Sequence, residues 1–82
     1  MKSEIFNKAI LERHRIKFLY DFRLINLEPY FIGVNKHGNK VIYGRVNNTN
    51  KICAFEYNKI TNIKIINSHK FSPIIPILPS LN

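Results

Sequence analysis

The first apolar residues of the chain follow a helical spacing. They recur at i, i+1, i+4 and i+5 and therefore share one stripe of a helix, and they are Ile5, Phe6, Ala9 and Ile10. Ser3 is a residue type that favours the N-cap position. The pattern predicts a short amphipathic helix over residues 4–13, with Arg13-His14-Arg15 at the end where the helix dipole favours cations.

From Arg15 onward the apolar period changes from helical to two. Ile16, Phe18 and Tyr20 occupy alternate positions, which is the pattern of a half-buried strand. Similar runs recur along the chain between groups of turn-forming residues. They predict five strands, over residues 15–20, 25–34, 41–46, 52–57 and 60–66.

The alternation of the second strand slips by one position around Glu28-Pro29. Proline cannot donate a hydrogen bond to a neighbouring strand, so Pro29 indicates a bulge, with a bend or an edge position there. A long bent strand allows a small sheet to close on itself. We therefore predict a mostly β domain, either a strongly bent sheet or an SH3-like barrel, with one helix in front.

The last twelve residues differ in composition from the rest. Pro73, Pro76 and Pro79 exclude a helix or a central strand, while the residues between them are strongly apolar. We expect one domain over residues 1–70, followed by a tail over residues 71–82. The tail packs either on its own domain or on another chain.

Charge narrows the class of partner. Thirteen Lys and Arg residues against five Asp and Glu give a net charge of +8, which favours phosphate-rich or acidic partners. The alternative is that the cations only form a solubilising surface. Cys53 has no second cysteine to pair with and is expected to be a buried, inert thiol. The polar N-terminus and the lack of a long apolar run predict a cytoplasmic protein without membrane contact.

Candidate catalytic and metal-binding groups are dispersed. His14, His37 and His69 lie in three separate connections, without Cys or carboxylate at ligand spacing. The five carboxylates form no paired motif, and no serine elbow or glycine-rich phosphate loop is present in the sequence. We expect no metal, no cofactor and no enzymatic activity.

Strand alternation places a group of basic and aromatic residues on the side opposite to the core series. They are Lys17, Tyr43, Arg45 and Lys64. Interleaved aromatic and basic groups on a sheet suit base stacking and phosphate neutralisation. The alternative is that Tyr43 covers a barrel edge and that the cations are only solvated.

Four segments, in their order along the chain, resemble WYL domains. They are residues 16–20 together with Ala9-Ile10 before them, then 28–34, 38–44 and 55–60, and the resemblance extends over about residues 5–66. It implies an Sm-like, SH3-like barrel and a role in sensing nucleic acid or nucleotides, in proteins linked to transcription regulation and phage defence. Lys40-Val41-Ile42 occupies the place of the Trp-Tyr-Leu signature, and Lys59 replaces a binding arginine of the family, while Glu56 occupies the place of another.

Two functional hypotheses follow. The first is a non-enzymatic, WYL-like ligand-sensing module that binds nucleic acid or a nucleotide through Lys17, Tyr43, Arg45 and Lys59, with a regulatory role in transcription or defence. The alternative is a structural or protein-interaction module. It would self-associate as a homo-oligomer, or dock to a partner, through open strand edges and the C-terminal tail.

Overall fold

The computed structural model describes residues 1–74 of the chain. It contains one N-terminal α-helix, a short 3₁₀ turn and five antiparallel strands in one sheet, so the predicted mostly β fold class is confirmed. The elements are α1 (Lys2–Glu12), β1 (His14–Tyr20), β2 (Arg23–Val34), β3 (Lys40–Val46), β4 (Ile52–Glu56), the 3₁₀ turn (Tyr57–Lys59) and β5 (Ile60–Lys70).

Helix α1 begins and ends earlier than its sequence predicts. It starts at Lys2, so Ser3 lies inside the first turn rather than at the N-cap, and the predicted cap is wrong. The Ser3 hydroxyl instead lies 3.1 Å from the Tyr57 hydroxyl. Arg13 ends the helix in a left-handed conformation, with φ of 56°. The apolar stripe was predicted correctly, since Phe6 and Ala9 are fully buried against the sheet.

The sheet curls until strands that are not neighbours touch. Its strand order is β4-β3-β2-β1-β5, so two strands separate β1 from β4. Nevertheless the rings of Phe18 and Tyr20 on β1 meet Phe55 on β4 edge to face, at centroid distances of 5.3 and 5.0 Å. These rings, with Ile16, Leu27, Ile42 and Ile60, form the core beneath α1.

Strand β2 contains the predicted irregularity. Pro29 lies opposite Gly44 and Phe31 lies opposite Tyr43, so Tyr30 is the extra residue of a bulge in the β2–β3 pairing. β2 is the central strand of the sheet, and the bulge rather than an edge position accommodates the proline. Gly44 is required there, because a Cβ at this position would collide with the Glu28 carbonyl oxygen.

Strand β5 continues four residues beyond its predicted end, to Lys70. Its regular pairing with β1 reaches Ile66 opposite Arg15, and after a register shift Lys70 pairs with His14. The chain then crosses β2. Phe71 is buried and stacks on Tyr30 at a centroid distance of 5.7 Å, and the Ile74 amide donates to the Tyr30 hydroxyl at 3.0 Å. The rest of the predicted tail, residues 75–82, lies outside the described residues. Cys53, expected to be buried, is only half-buried.

Candidate functional site

A buried carboxylate lies on the outer face of β2. Glu28 is fully buried and is opposite Arg45 in the β2–β3 pairing. Arg45 Nε donates to Glu28 Oε1 at 2.9 Å, and Arg45 Nη2 donates to Oε2 at 2.6 Å. Arg15 Nη2 donates to Oε2 at 3.1 Å and the Tyr30 hydroxyl donates to Oε1 at 3.2 Å. We call Glu28, Arg15, Tyr30 and Arg45 the Glu28 cluster.

The Glu28 cluster keeps its carboxylate ionised. Burial of the carboxyl group raises its pKa, but hydrogen bonds and charges from neighbouring side chains lower it by more. Those neighbours are Arg45, Tyr30 and Arg15. The pKa of Glu28 therefore lies below its ordinary value, and two cations compensate the buried charge.

Two of the four predicted binding residues, Arg45 and Tyr43, are held by contacts within the fold. Two of the Arg45 guanidinium nitrogens donate to Glu28, and the third, Nη1, donates to the Thr49 carbonyl oxygen at 3.0 Å. The Tyr43 ring stacks on Phe31 at 4.5 Å, and the space above Gly33 accommodates it. Both side chains lie on the outer face, as strand alternation predicts. Their role in binding a ligand stays a prediction.

Lys59, the third predicted residue, pairs with a carboxylate that holds a loop. Its Nζ lies 3.4 Å from Glu56 Oε1. Glu56 Oε2 accepts hydrogen bonds from the side-chain amides of Asn35 at 2.9 Å and Asn39 at 3.1 Å. These hydrogen bonds and the Lys59 ammonium hold the pKa of Glu56 below its ordinary value. Glu56 thus fixes the β2–β3 loop to the end of β4.

Lys17, the fourth predicted residue, faces a second lysine. It is directly opposite Lys64 in the β1–β5 pairing, and both side chains are exposed. Neither forms a salt bridge within residues 1–74. The two lysines line an open groove of about 600 Å³, and we call its lining residues the lysine groove: Lys17, Leu19, Leu24, Asn62, Ile63 and Lys64.

The lysine groove continues towards the β1–β2 turn. A smaller groove shares Leu19 with it and is also lined by Asp21, Phe22, Lys59 and Thr61. The structure therefore brings Lys17 and Lys59 close to each other through the two grooves, while Tyr43 and Arg45 lie on β3, which β2 separates from β1. Sequence reasoning overlooked Phe22. Its signal was an aromatic residue in a tight turn, where Gly or Asn is usual.

Residues 1–74 contain no group of three or more His, Cys, Asp or Glu side chains arranged to hold a metal ion. In the same part of the chain, no helix has the length and hydropathy needed to cross a membrane.

Comparison with known proteins gives no relative. No family model matches the chain, and neither a curated protein nor a solved structure matches it. The resemblance to WYL domains therefore rests on the sequence segments alone and stays a prediction.

Proposed function

We propose that this domain is a non-enzymatic, WYL-like module that binds nucleic acid or a nucleotide at the lysine groove. The observation that carries the proposal is the direct opposition of Lys17 and Lys64. Like charges directly opposite each other on neighbouring strands destabilise a sheet. An anionic ligand would remove that repulsion, so the pair costs stability in the free protein and contributes affinity in the complex.

The remaining lining of the lysine groove suits the same ligand. Leu19, Leu24 and Ile63 provide apolar surface beside the two ammonium groups. Bases and sugars pack on apolar surface while their phosphates pair with cations, so one groove can take both parts of a nucleotide. The net charge of +8 adds long-range attraction for a polyanion.

The arrangement of the strands supports the proposal that this mostly β fold is an SH3-like, Sm-like barrel. β4 and β5 are the two edges of the sheet, yet only the three residues Tyr57–Lys59 separate them in the chain. Such a short connection forces the two edges to meet at one corner. Together with the contact between β1 and β4, it gives the sheet the curvature that a small barrel needs.

Binding to a fluorescent single-stranded oligonucleotide tests the proposal. We expect fluorescence polarisation to detect binding at low salt that weakens steeply as salt is added. The double variant Lys17→Gln/Lys64→Gln should bind more weakly. Its plot of log affinity against log salt should be flatter by about 1.4, because each phosphate contact on a single strand contributes about 0.7 to that slope.

A matched control separates this groove from the general charge of the protein. Lys8 on α1 and Lys51 before β4 are also exposed, and they lie away from the groove. The variant Lys8→Gln/Lys51→Gln has the same net charge as the groove variant and should keep most of the affinity. Failure of the wild-type protein to bind at low salt, or equal losses in the two double variants, would contradict the proposal.

A further inference from the structure

The β1–β2 turn contains an exposed aromatic residue whose backbone conformation is unfavourable for it. Tyr20 pairs with Arg23, so Asp21 and Phe22 form a two-residue turn, with φ of 50° and 64°. Gly and Asn adopt such angles readily, whereas bulky residues rarely do. Phe22 is fully exposed, so its ring gains nothing by packing within residues 1–74. The turn therefore holds a strained residue whose ring is left to solvent.

Phe22 lies in the turn towards which the lysine groove continues. It lines the smaller groove with Leu19 and Lys59, and Leu19 joins that groove to the lysine groove. A strand rises about 3.3 Å per residue, which separates Lys17 from the end of β1 at Tyr20 by about 10 Å. This distance between an aromatic ring and a lysine pair suits a ligand with several repeating units.

We propose that this surface binds single-stranded nucleic acid, with Phe22 stacking on a base while Lys17 and Lys64 contact phosphates. The inference rests on the proposed function and adds the class of ligand and the stacking residue. Aromatic rings stack on every type of base, and unpaired strands expose the base faces. A flat anionic membrane would reach the protruding turn, but it would not fill the groove that the two lysines line.

Abasic oligonucleotides separate stacking from phosphate binding. We would measure polarisation with a labelled oligothymidylate of about 12 nucleotides, within the usual range of site sizes for single-stranded binding domains. An abasic strand of equal length has the same charge. Wild-type protein should prefer the oligothymidylate by between about 5-fold and 150-fold, the range that stacking of one base supplies.

Variants at Phe22 test whether this residue causes the preference for oligothymidylate over the abasic strand. Phe22→Asn should lower affinity for the oligothymidylate to that for the abasic strand, whereas Phe22→Tyr should retain the preference. Asn suits the positive φ, so Phe22→Asn should melt at or above the wild-type temperature. Phe22→Gly is a second variant with the same expected losses in binding.

The outcomes distinguish this inference from the proposed function. If the wild type binds both strands equally, or if Phe22→Asn and Phe22→Gly keep the preference, the stacking role is wrong while the lysine groove remains supported. If neither strand binds, both proposals are wrong. Vesicles of phosphatidylserine and phosphatidylcholine provide a third arm. Binding to vesicles that depends on Phe22, with oligothymidylate binding that does not, would overturn the inference in favour of a membrane.

Discussion

Replacing Arg45 with alanine should destabilise the domain strongly, because it leaves Glu28 buried with too little compensation. The Glu28 side chain has no exposed surface, whereas Arg45 is 19% exposed and Arg15 is 29% exposed. Arg45 makes two of the four hydrogen bonds to the carboxylate. Removing one partner of a buried ion pair typically costs about 3–5 kcal/mol.

That loss is large on the scale of the whole domain. At about 0.05–0.15 kcal/mol per residue, a chain of this length has a free energy of unfolding of about 4–12 kcal/mol. Arg15→Ala should cost less, about 1.5–3 kcal/mol, because it removes one hydrogen bond to a charged group. Urea denaturation followed by circular dichroism would measure both changes.

A double-mutant cycle separates the ion pair from the packing of the arginine side chain. In the Glu28→Gln background, Arg45→Ala should cost much less than it does in the wild type, because no buried charge remains to be compensated. A cost of Arg45→Ala below about 1 kcal/mol, or an equal cost in both backgrounds, would refute the claim that Arg45 compensates a buried Glu28 carboxylate.

Two further predictions concern stability. The pKa of Glu28 is lower in the folded protein than in the unfolded chain, so stability should be full above the ordinary pKa and fall as the pH drops through the folded value. The pKa of Glu56 is also lowered in the folded protein. Glu28→Gln should therefore make the unfolding free energy fall less steeply at acid pH, and Glu28→Gln/Glu56→Gln should reduce that fall further. Phe71→Ala should lower the free energy of unfolding, measured by urea denaturation, by about 3–5 kcal/mol, because it removes a buried ring from Tyr30. An unchanged midpoint would show that the Phe71 ring adds nothing to the stability of the fold.

Local periodicity was enough to predict most of the elements. The switch from helical to alternating spacing near Arg15 and the slip at Pro29 both correspond to features of the structure. The end of β5 could not be predicted, because residues 67–70 are polar and the pairing of Lys70 with His14 lies beyond a register shift. Ser3 misled for a similar reason, since its contact with Tyr57 comes from tertiary packing rather than from helix capping.

The site was harder to predict because its contacts depend on register. Alternation alone placed Lys17 and Arg45 on the outer face. That Arg45 meets Glu28, and Lys17 meets Lys64, follows from which strands are neighbours and where their pairing is offset. A glutamate before a proline has the pattern of a surface acid, so nothing in the sequence marked Glu28 as buried. Arg45 is accordingly a poorer choice for testing ligand binding than the two lysines.

The central claim is that ligand binds on the outer face of β1 and β5, and a nuclear magnetic resonance titration tests it most directly. Adding a short oligothymidylate to ¹⁵N-labelled protein should shift the amide signals of residues 17–24 and 61–65 progressively, and leave those of α1 and β4 nearly unchanged. Shifts concentrated in α1 or β4, or spread evenly over the molecule, would contradict the account.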